Sequence, residues 1–344
     1  MSSRAALQAS HPGFFFLDRD DLPSIAFQLD RLGWLNLHET LLNATPAGEG
    51  NMNYTIRLRT SQRSFILKQA RPWVEKYRHI AAPWDRALAE GRFYTEVQAN
   101  SHLARCMPRL LGIEPESRLL MLEDVGECQD FTFLYQGLDI EARDLRAVVS
   151  FLVELHSSFR DAALGTAFSN HEMRELNHEH IFAFPLRRDN GLNLDAITPG
   201  LSALAHDLQC DHNYRDRVTA LGEIYLGSEP GSCLVHGDYF PGSWLKTVRG
   251  IQIIDPEFCF FGPPEFDVGV MLAHFHFAGM HARDVEKTWK LYSAEVPLNT
   301  SLMLQFVGVE IMRRLIGVAQ LPIRCGLEEK RRLLALSREL ITCP

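Results

Sequence analysis

Chemistry-bearing side chains crowd into two short segments of this chain. They are Leu234-Val235-His236-Gly237-Asp238-Tyr239-Phe240-Pro241-Gly242-Ser243 and Ile253-Ile254-Asp255-Pro256-Glu257-Phe258. Each sets a short apolar run against carboxylate and hydroxyl groups. The intervening Trp244–Ile254 reads as a hairpin, two β-rich runs joined at Arg249-Gly250, where glycine tolerates positive φ. With the turn there, Trp244 falls opposite Asp255, and Asp238, Ser243, Asp255 and Glu257 gather at the open end. Carboxylates beside hydroxyls suit Mg²⁺, which prefers oxygen ligands and shares them with phosphates. Asp255 ends an apolar strand, where its charge is hard to rationalise without a cation. Phosphoryl transfer needs such a metal, a lysine on the phosphates and a base for the acceptor hydroxyl.

A lysine of the right kind lies upstream. Gly48-Glu49-Gly50-Asn51-Met52-Asn53 is a turn-rich loop followed by the alternating strand Tyr54–Arg59. Ser61-Gln62-Arg63 then turns the chain into a second strand, Ser64–Lys68. The loop joins two strands and lacks the Gly-Lys-Ser/Thr ending of a P-loop. Gly48 and Gly50 allow backbone N–H groups to approach phosphate oxygens; an ordinary hairpin turn is the competing reading. Lys68 follows Phe65-Ile66-Leu67, so its ammonium needs either solvent or an anion.

His236-Gly237-Asp238 followed by Asp255-Pro256-Glu257 resembles the catalytic and metal loops of the aminoglycoside phosphotransferase-like small-molecule kinases, from about Gly48 to about Pro322. Within that group the methylthioribose kinases also carry Gly-Ser, here Gly242-Ser243, where most relatives have Asn, and also read Asp-Pro-Glu-Phe. The resemblance implies an α+β, two-lobed protein-kinase-like fold with a β-rich N-lobe and a mainly helical C-lobe, using ATP and Mg²⁺. It implies Asp238 as the catalytic base, or the group that orients the acceptor hydroxyl, with Asp255 as the principal metal ligand. Glu257 corresponds to a second acidic residue, for a second metal or a metal-bound water. Ser243 acts on metal through water or holds the second ion loosely. Gly48, Gly50, Asn51 and Asn53 border the nucleotide. Lys68 meets its phosphates and pairs with a helical glutamate. Glu90, in Arg86-Ala87-Leu88-Ala89-Glu90, is preferred for that partner, and Glu96 is the other candidate. Glu123 and Val125 belong to the interlobe linker that meets adenine through backbone groups. His236 braces its loop, and Asp267 of Phe266-Asp267-Val268-Gly269 holds the loop backbone by hydrogen bonds.

On the acceptor side, Arg313 and Arg314 lie in an apolar helix expected from Leu302 to Leu321. Adjacent helical residues point about 100° apart, so one wet face does not accommodate both. Glu310 reaches either at i+3 or i+4; a surface ion pair is one reading. The other is a pair lining the site, and Met312-Arg313-Arg314-Leu315-Ile316-Gly317 is similar to a sugar-contacting twin arginine in methylthioribose kinases. The implied acceptor is the anomeric hydroxyl of 5-methylthioribose. An aminoglycoside, a choline-like amine, homoserine or another sugar are alternatives, as is a nucleotide-binding pseudokinase; a twin arginine disfavours a cationic acceptor. The absence of Asp-Phe-Gly and Ala-Pro-Glu disfavours a protein kinase.

The elements that must carry these groups divide into a helical extension over residues 1–40, a nucleotide-binding lobe over 41–124 and a catalytic lobe over 125–344. In the extension, Phe27, Leu29, Leu32 and Leu35 show near-helical spacing. Asp85 to Leu103 reads as a helix and Arg118–Asp124 as a strand. A length of 344 residues fits two lobes. A net charge of −8 offers nothing for nucleic acid or an anionic membrane. Seven irregularly spaced cysteines without Cys-x-x-Cys read as reduced thiols. There is no transmembrane run, and Phe14-Phe15-Phe16-Leu17 is too short for a signal segment. A cytoplasmic location is expected, and family resemblance suggests a homodimer. His274, His276 and His281, like His171, His178 and His180, lack a tight metal-ligand pattern and read as surface or core histidines.

Overall fold

A computed structural model describes residues 3–48, 52–161, 163–227 and 231–344. They fall into two compact units, Met1–Glu127 and Cys128–Pro344.

The first unit is built on a five-stranded antiparallel sheet. Its strands are β1 (Leu41–Pro46), β2 (Tyr54–Thr60), β3 (Ser64–Gln69), β4 (Leu110–Glu114) and β5 (Leu119–Glu123), in the spatial order β1-β2-β3-β5-β4. Side chains alternate across a strand. Ile56 and Leu58, Phe65 and Leu67, and Leu119 and Met121 therefore share one face, and they bury together with Leu17, Ile25 and Leu29. Ile25 and Leu29 belong to the helix Leu22–Arg31, whose start is capped by the Asp21 side chain accepting from the Ser24 N–H. Lys68 is one residue out of phase with Leu67 and points to the opposite face, toward the helix Arg86–Val97.

Three expectations for this unit are corrected. Among the described residues of 1–40, helix is confined to Ser3–Ser10 and Leu22–Arg31. The inward stripe of the second helix is Ile25, Gln28 and Leu29, whereas Phe27 is 72% exposed; two positions from Leu29 is about 200° around the helix. The helix expected from Asp85 to Leu103 is two helices, Arg86–Val97 and Ser101–Arg105. Asn100 opens the second, its side chain accepting from His102 N (2.9 Å) and Leu103 N (3.2 Å), as an N-cap does.

The second unit is mainly helical. Its longer helices are Ala142–Ser158, His212–Leu226, Glu265–Phe277, Ala282–Ser293, Thr300–Ile316 and Leu327–Thr342. Its short strands are β6 (Gln129–Asp130), β7 (Cys233–Val235), β8 (Trp244–Thr247), β9 (Gly250–Ile253) and β10 (Phe260–Gly262). They form one sheet in the order β6-β8-β9 and an antiparallel pair, β7 with β10.

The β8–β9 hairpin exists in a different register from the one expected. Thr247 pairs with Gly250 and Trp244 with Ile253. The turn residues are thus Val248 and Arg249, and Gly250 closes the turn at φ +109°, a conformation glycine supplies without steric cost. A two-residue shift keeps every side chain on its face but moves Asp255 out of the ladder. Asp255 instead takes the left-handed conformation, φ 63° and ψ 48°, which Asp tolerates better than most residues. The arginine helix also ends sooner than expected, at Ile316 rather than Leu321. The Gln320 side chain caps its carbonyl end, donating to Leu315 O (3.2 Å) and Gly317 O (2.7 Å).

Candidate active site

In the first unit the expected lysine–glutamate pair is formed. Lys68 Nζ lies 2.9 Å from Glu90 Oε1 and 2.8 Å from Oε2, with both side chains buried. Glu96 is about 240° further round the same helix and half-buried. Removing two charges from water costs several kcal/mol per ion, so the pair adds little net stability. Its effect is to fix the direction of the ammonium.

Gly48 sits at the β1–β2 connection with φ +75°; Gly50 and Asn51 lie outside the described residues. Asn53 is buried, and its Oδ1 accepts from Arg86 Nε at 2.9 Å. Sequence reasoning missed Arg86. Fully buried, it also donates to the carbonyls of Met52 (2.9 Å), Arg71 (2.9 Å) and Pro83 (2.7 Å). One guanidinium with five N–H donors thus ties the end of the glycine loop to the start of the Glu90 helix. Nothing in its spacing distinguishes Arg86 from a surface arginine.

At the far end of β5, Glu123 Oε2 accepts from Arg109 N at 3.2 Å. Val125 follows in an irregular, half-buried stretch. The adjacent Asp124 accepts from Gly126 N at 3.0 Å and pairs with Arg57 at 2.9 Å. The Asp124 side chain thus holds the Gly126 N–H, and Arg57 donates to the Gly126 carbonyl at 3.3 Å.

In the second unit, β7 delivers His236-Gly237-Asp238. Asp267, in the first turn of the helix Glu265–Phe277, accepts from His236 N (2.6 Å) and Gly237 N (2.9 Å), which is the bracing role expected of it. His156 meets the same carboxylate at 3.2 Å. Gly237 has φ +87°, and a β-carbon there would lie 2.1 Å from the Phe258 carbonyl oxygen. The chain before Asp238 consequently packs directly on the Asp255-Pro256-Glu257-Phe258 loop.

His236 joins the same two segments. Its Nε2 faces Ile254 O at 2.9 Å and its Nδ1 faces Asp238 N at 3.4 Å. Those partners assign the proton to Nε2. Burial pushes its pKa down, opposed by Asp267, the Ile254 carbonyl, Asp238 and Asp255. A neutral ring is a structural brace, not a proton carrier. Ser243 Oγ donates to Asp238 O at 3.0 Å, while Ser243 O accepts from Ile254 N at 3.0 Å. Asn170 Nδ2 clamps the acidic loop through Glu257 O (3.0 Å) and Cys259 O (2.9 Å).

Arg313 and Arg314 converge. Both donate to Asp238 Oδ1, through Nη2 at 3.1 Å and 3.0 Å respectively. Both also bind Glu310: Arg314 Nε reaches Oε1 at 2.7 Å, and Arg313 contacts both carboxylate oxygens. Glu310 is buried, so the surface ion pair considered from sequence is excluded. Burial alone would raise the Glu310 pKa, but Arg313, Arg314 and His274 hold it well below the usual carboxylate range. Among the described residues, no hydrogen bond is made to the other Asp238 oxygen, Oδ2. The Asp238 side chain is 22% exposed.

Behind Glu310 stand two residues that sequence reasoning did not place in the site. His274 Nε2 lies 3.0 Å from Glu310 Oε1, and Tyr135 Oη lies 2.5 Å from His274 Nδ1. Burial drives the His274 pKa down to about 4 and raises that of Tyr135 well above its usual value. A signal for His274 existed: it follows Asp267 by seven residues, two helical turns, with only Val268-Gly269-Val270-Met271-Leu272-Ala273 between them.

Among the described residues, no group of three or more His, Cys, Asp or Glu side chains is placed to hold a metal ion. Asp255 and the buried Glu257 nonetheless offer a hard oxygen donor set. Mg²⁺ characteristically takes one or two carboxylates and completes its shell with water and substrate phosphate. The residues present fit that ion.

Residues 43–292 match the phosphotransferase enzyme family (APH), and the chain belongs to that family. It is a small-molecule phosphotransferase with the α+β, protein-kinase-like fold. It is similar to a methylthioribose kinase of Exiguobacterium sibiricum, with 25% identity over 87% of this chain and 88% of the relative. A methylthioribose kinase of Bacillus mycoides is 25% identical over 86% of each. Among solved structures, a spectinomycin phosphotransferase bound to ADP and spectinomycin aligns with a TM-score of 0.54 at 12% identity, covering 92% of this chain and 98% of that one. A choline kinase from Streptococcus pneumoniae aligns at 0.53 and 13%, covering 92% and 99%. Among the described residues, no helix is long and apolar enough to cross a membrane.

Proposed function

We propose that this protein is an ATP- and Mg²⁺-dependent kinase that phosphorylates a hydroxyl of a neutral sugar, of the 5-methylthioribose type. The observation that carries the reading is Asp238. One carboxylate oxygen is held by two guanidiniums, and the other is left available at a partly exposed position. Residues 41–124 bind the nucleotide, with Lys68 on its phosphates and Gly48, Gly50, Asn51 and Asn53 along the loop. Glu123 and Val125 present backbone groups to adenine. Residues 125–344 supply the chemistry.

Asp255 and Glu257 would hold Mg²⁺, with Ser243 shaping the loop beside them. The ion supplies charge neutralisation on the phosphates when bound. Asp238 Oδ2 accepts the hydrogen of the acceptor hydroxyl and orients its oxygen. As that oxygen forms a bond to the γ-phosphorus, the bond to the β-phosphate oxygen breaks and ADP leaves with the electron pair. The acceptor proton passes to Asp238 late in the step. Glu90 keeps Lys68 aimed, and Asp267 keeps the Asp238 backbone still.

The acceptor class rests on the guanidinium pair and on the likeness to methylthioribose kinases. Glu310 and Asp238 engage five of the ten guanidinium N–H groups. The remaining donors suit hydroxyl and ring oxygens, and with both carboxylates already paired the cluster offers no net negative charge to a cationic substrate. Incubation with Mg-ATP and a panel of 5-methylthioribose, other sugars, choline and aminoglycosides tests the reading. Phosphate incorporation into 5-methylthioribose at its anomeric hydroxyl is expected, with Asp238→Ala inactive. Equal slow ATP loss in both proteins would remove the kinase reading, and preference for an amine would remove the acceptor assignment.

A further inference from the structure

The described residues contain a linear relay with one end at Asp238 and the other in the hydrophobic interior. It runs Tyr135, His274, Glu310, then Arg313 and Arg314 together, then Asp238. Tyr135, His274 and Glu310 are 5%, 0% and 1% exposed. A neutral imidazole offers one donor and one acceptor. The Glu310 carboxylate only accepts, so the N–H is placed on Nε2, and Nδ1 then accepts from the Tyr135 hydroxyl. Glu310 Oε1 then receives three donors: His274 Nε2, Arg313 Nη2 at 3.0 Å and Arg314 Nε at 2.7 Å.

A second contact leads to the same arginine. The Arg314 guanidinium lies 4.8 Å over the Phe240 ring, and Phe240 packs on His274 with ring centroids 5.2 Å apart. His274 therefore touches both supports of Arg314, one carboxylate and one aromatic face. It touches neither Asp238 nor the acidic loop in the contacts described.

We propose that His274, oriented by Tyr135, is a positioning residue that sets the directions of Arg313 and Arg314 and thereby the affinity for the acceptor. The inference rests on the acceptor-end reading of the twin arginine given above. A carboxylate on a flexible side chain can satisfy one guanidinium in many geometries. Holding two at once, both still reaching Asp238, requires the carboxylate plane to be fixed, and the His274 donor fixes it. The Tyr135 hydroxyl, donating to Nδ1, completes the pairing of that tautomer and holds the ring toward Glu310.

Three variants and two readouts test this. His274→Leu removes both polar contacts and should raise the acceptor KM about tenfold, the loss expected of one hydrogen bond to a buried charge, with the ATP KM unchanged. His274→Gln retains an N–H near Nε2 and should restore most of that affinity. Tyr135→Phe removes a single oxygen, is the variant surest to fold, and should fall between wild type and His274→Leu. Equal changes in the two KM values, or no rescue by Gln, would overturn the proposal. The second readout needs no acceptor: ¹⁵N spectra of the wild-type imidazole should show a proton on Nε2 and none on Nδ1 down to about pH 5, as a pKa near 4 requires. A proton on Nδ1 would overturn the relay. A wild-type enzyme that phosphorylates no acceptor, yet shows the expected spectrum, would instead sink the functional reading.

Discussion

Gly237 and Phe258 are in backbone contact: a β-carbon on Gly237 would stand 2.1 Å from the Phe258 carbonyl oxygen. The loop of the proposed base and the loop of the proposed metal ligands are therefore packed without room for a single methyl group between them. Gly237→Ala meets that backbone atom and a φ of +87° at once. The backbone penalty alone is about 1–2 kcal/mol, and the displaced Phe258 adds to it. A fall in melting temperature and loss of phosphoryl transfer are expected together. A variant that melts like wild type would contradict the close approach.

Asp267 gathers three donors, the N–H groups of His236 and Gly237 and the ring of His156. Asp267→Asn keeps one oxygen but turns an amide NH₂ toward a backbone N–H. A cost of about 1–3 kcal/mol follows from one unsatisfied buried group. Because the released backbone carries Asp238, kcat should fall while the ATP KM holds. Denaturant midpoints and steady-state kinetics on the same preparation check both.

Lys68 and Glu90 form a buried ion pair. Lys68→Met leaves a buried carboxylate in place of a pair and should cost about 3 kcal/mol. The double variant with Glu90→Leu replaces both charges with apolar groups and should recover much of that loss. Neither should bind ATP with wild-type affinity if the lysine meets the phosphates. A double variant less stable than Lys68→Met would show that the pair stabilises the fold.

Stability should fall on mild acidification. His274 and His276 are both depressed to about 4, chiefly by burial, and His236 is lowered by burial as well. Between about pH 6.5 and 4 the unfolded chain binds protons that the folded protein does not, so stability rises with pH across that window. Glu310, held well below its usual value, continues the trend at lower pH. Melting temperatures from pH 7 to 4.5 measure the slope, and His274→Gln should flatten it. A pH-independent melting point would refute the buried, neutral histidines.

The two segments around His236 and Asp255, the strand ending in Lys68 and the twin arginine could be picked out because charged residues break apolar runs there. Glu90 could be preferred to Glu96 only through the resemblance. The hairpin was legible but its register was not, because a two-residue slip leaves the inside–outside alternation of every side chain unchanged.

Residue types, their spacing and the interruption of hydrophobic periodicity pointed to oxygen-ligated metal and phosphate chemistry, and the resemblance to the aminoglycoside phosphotransferase-like kinases supplied the fold, the reaction class and the candidate side chains. They could not indicate that Arg313 and Arg314 share Glu310 and Asp238, that Arg86 pins the glycine loop, or that Tyr135 and His274 stand behind the arginines. Those contacts join residues tens to more than a hundred positions apart, or depend on which way adjacent side chains turn. Periodicity reports the face a residue occupies; only chain packing brings distant faces together.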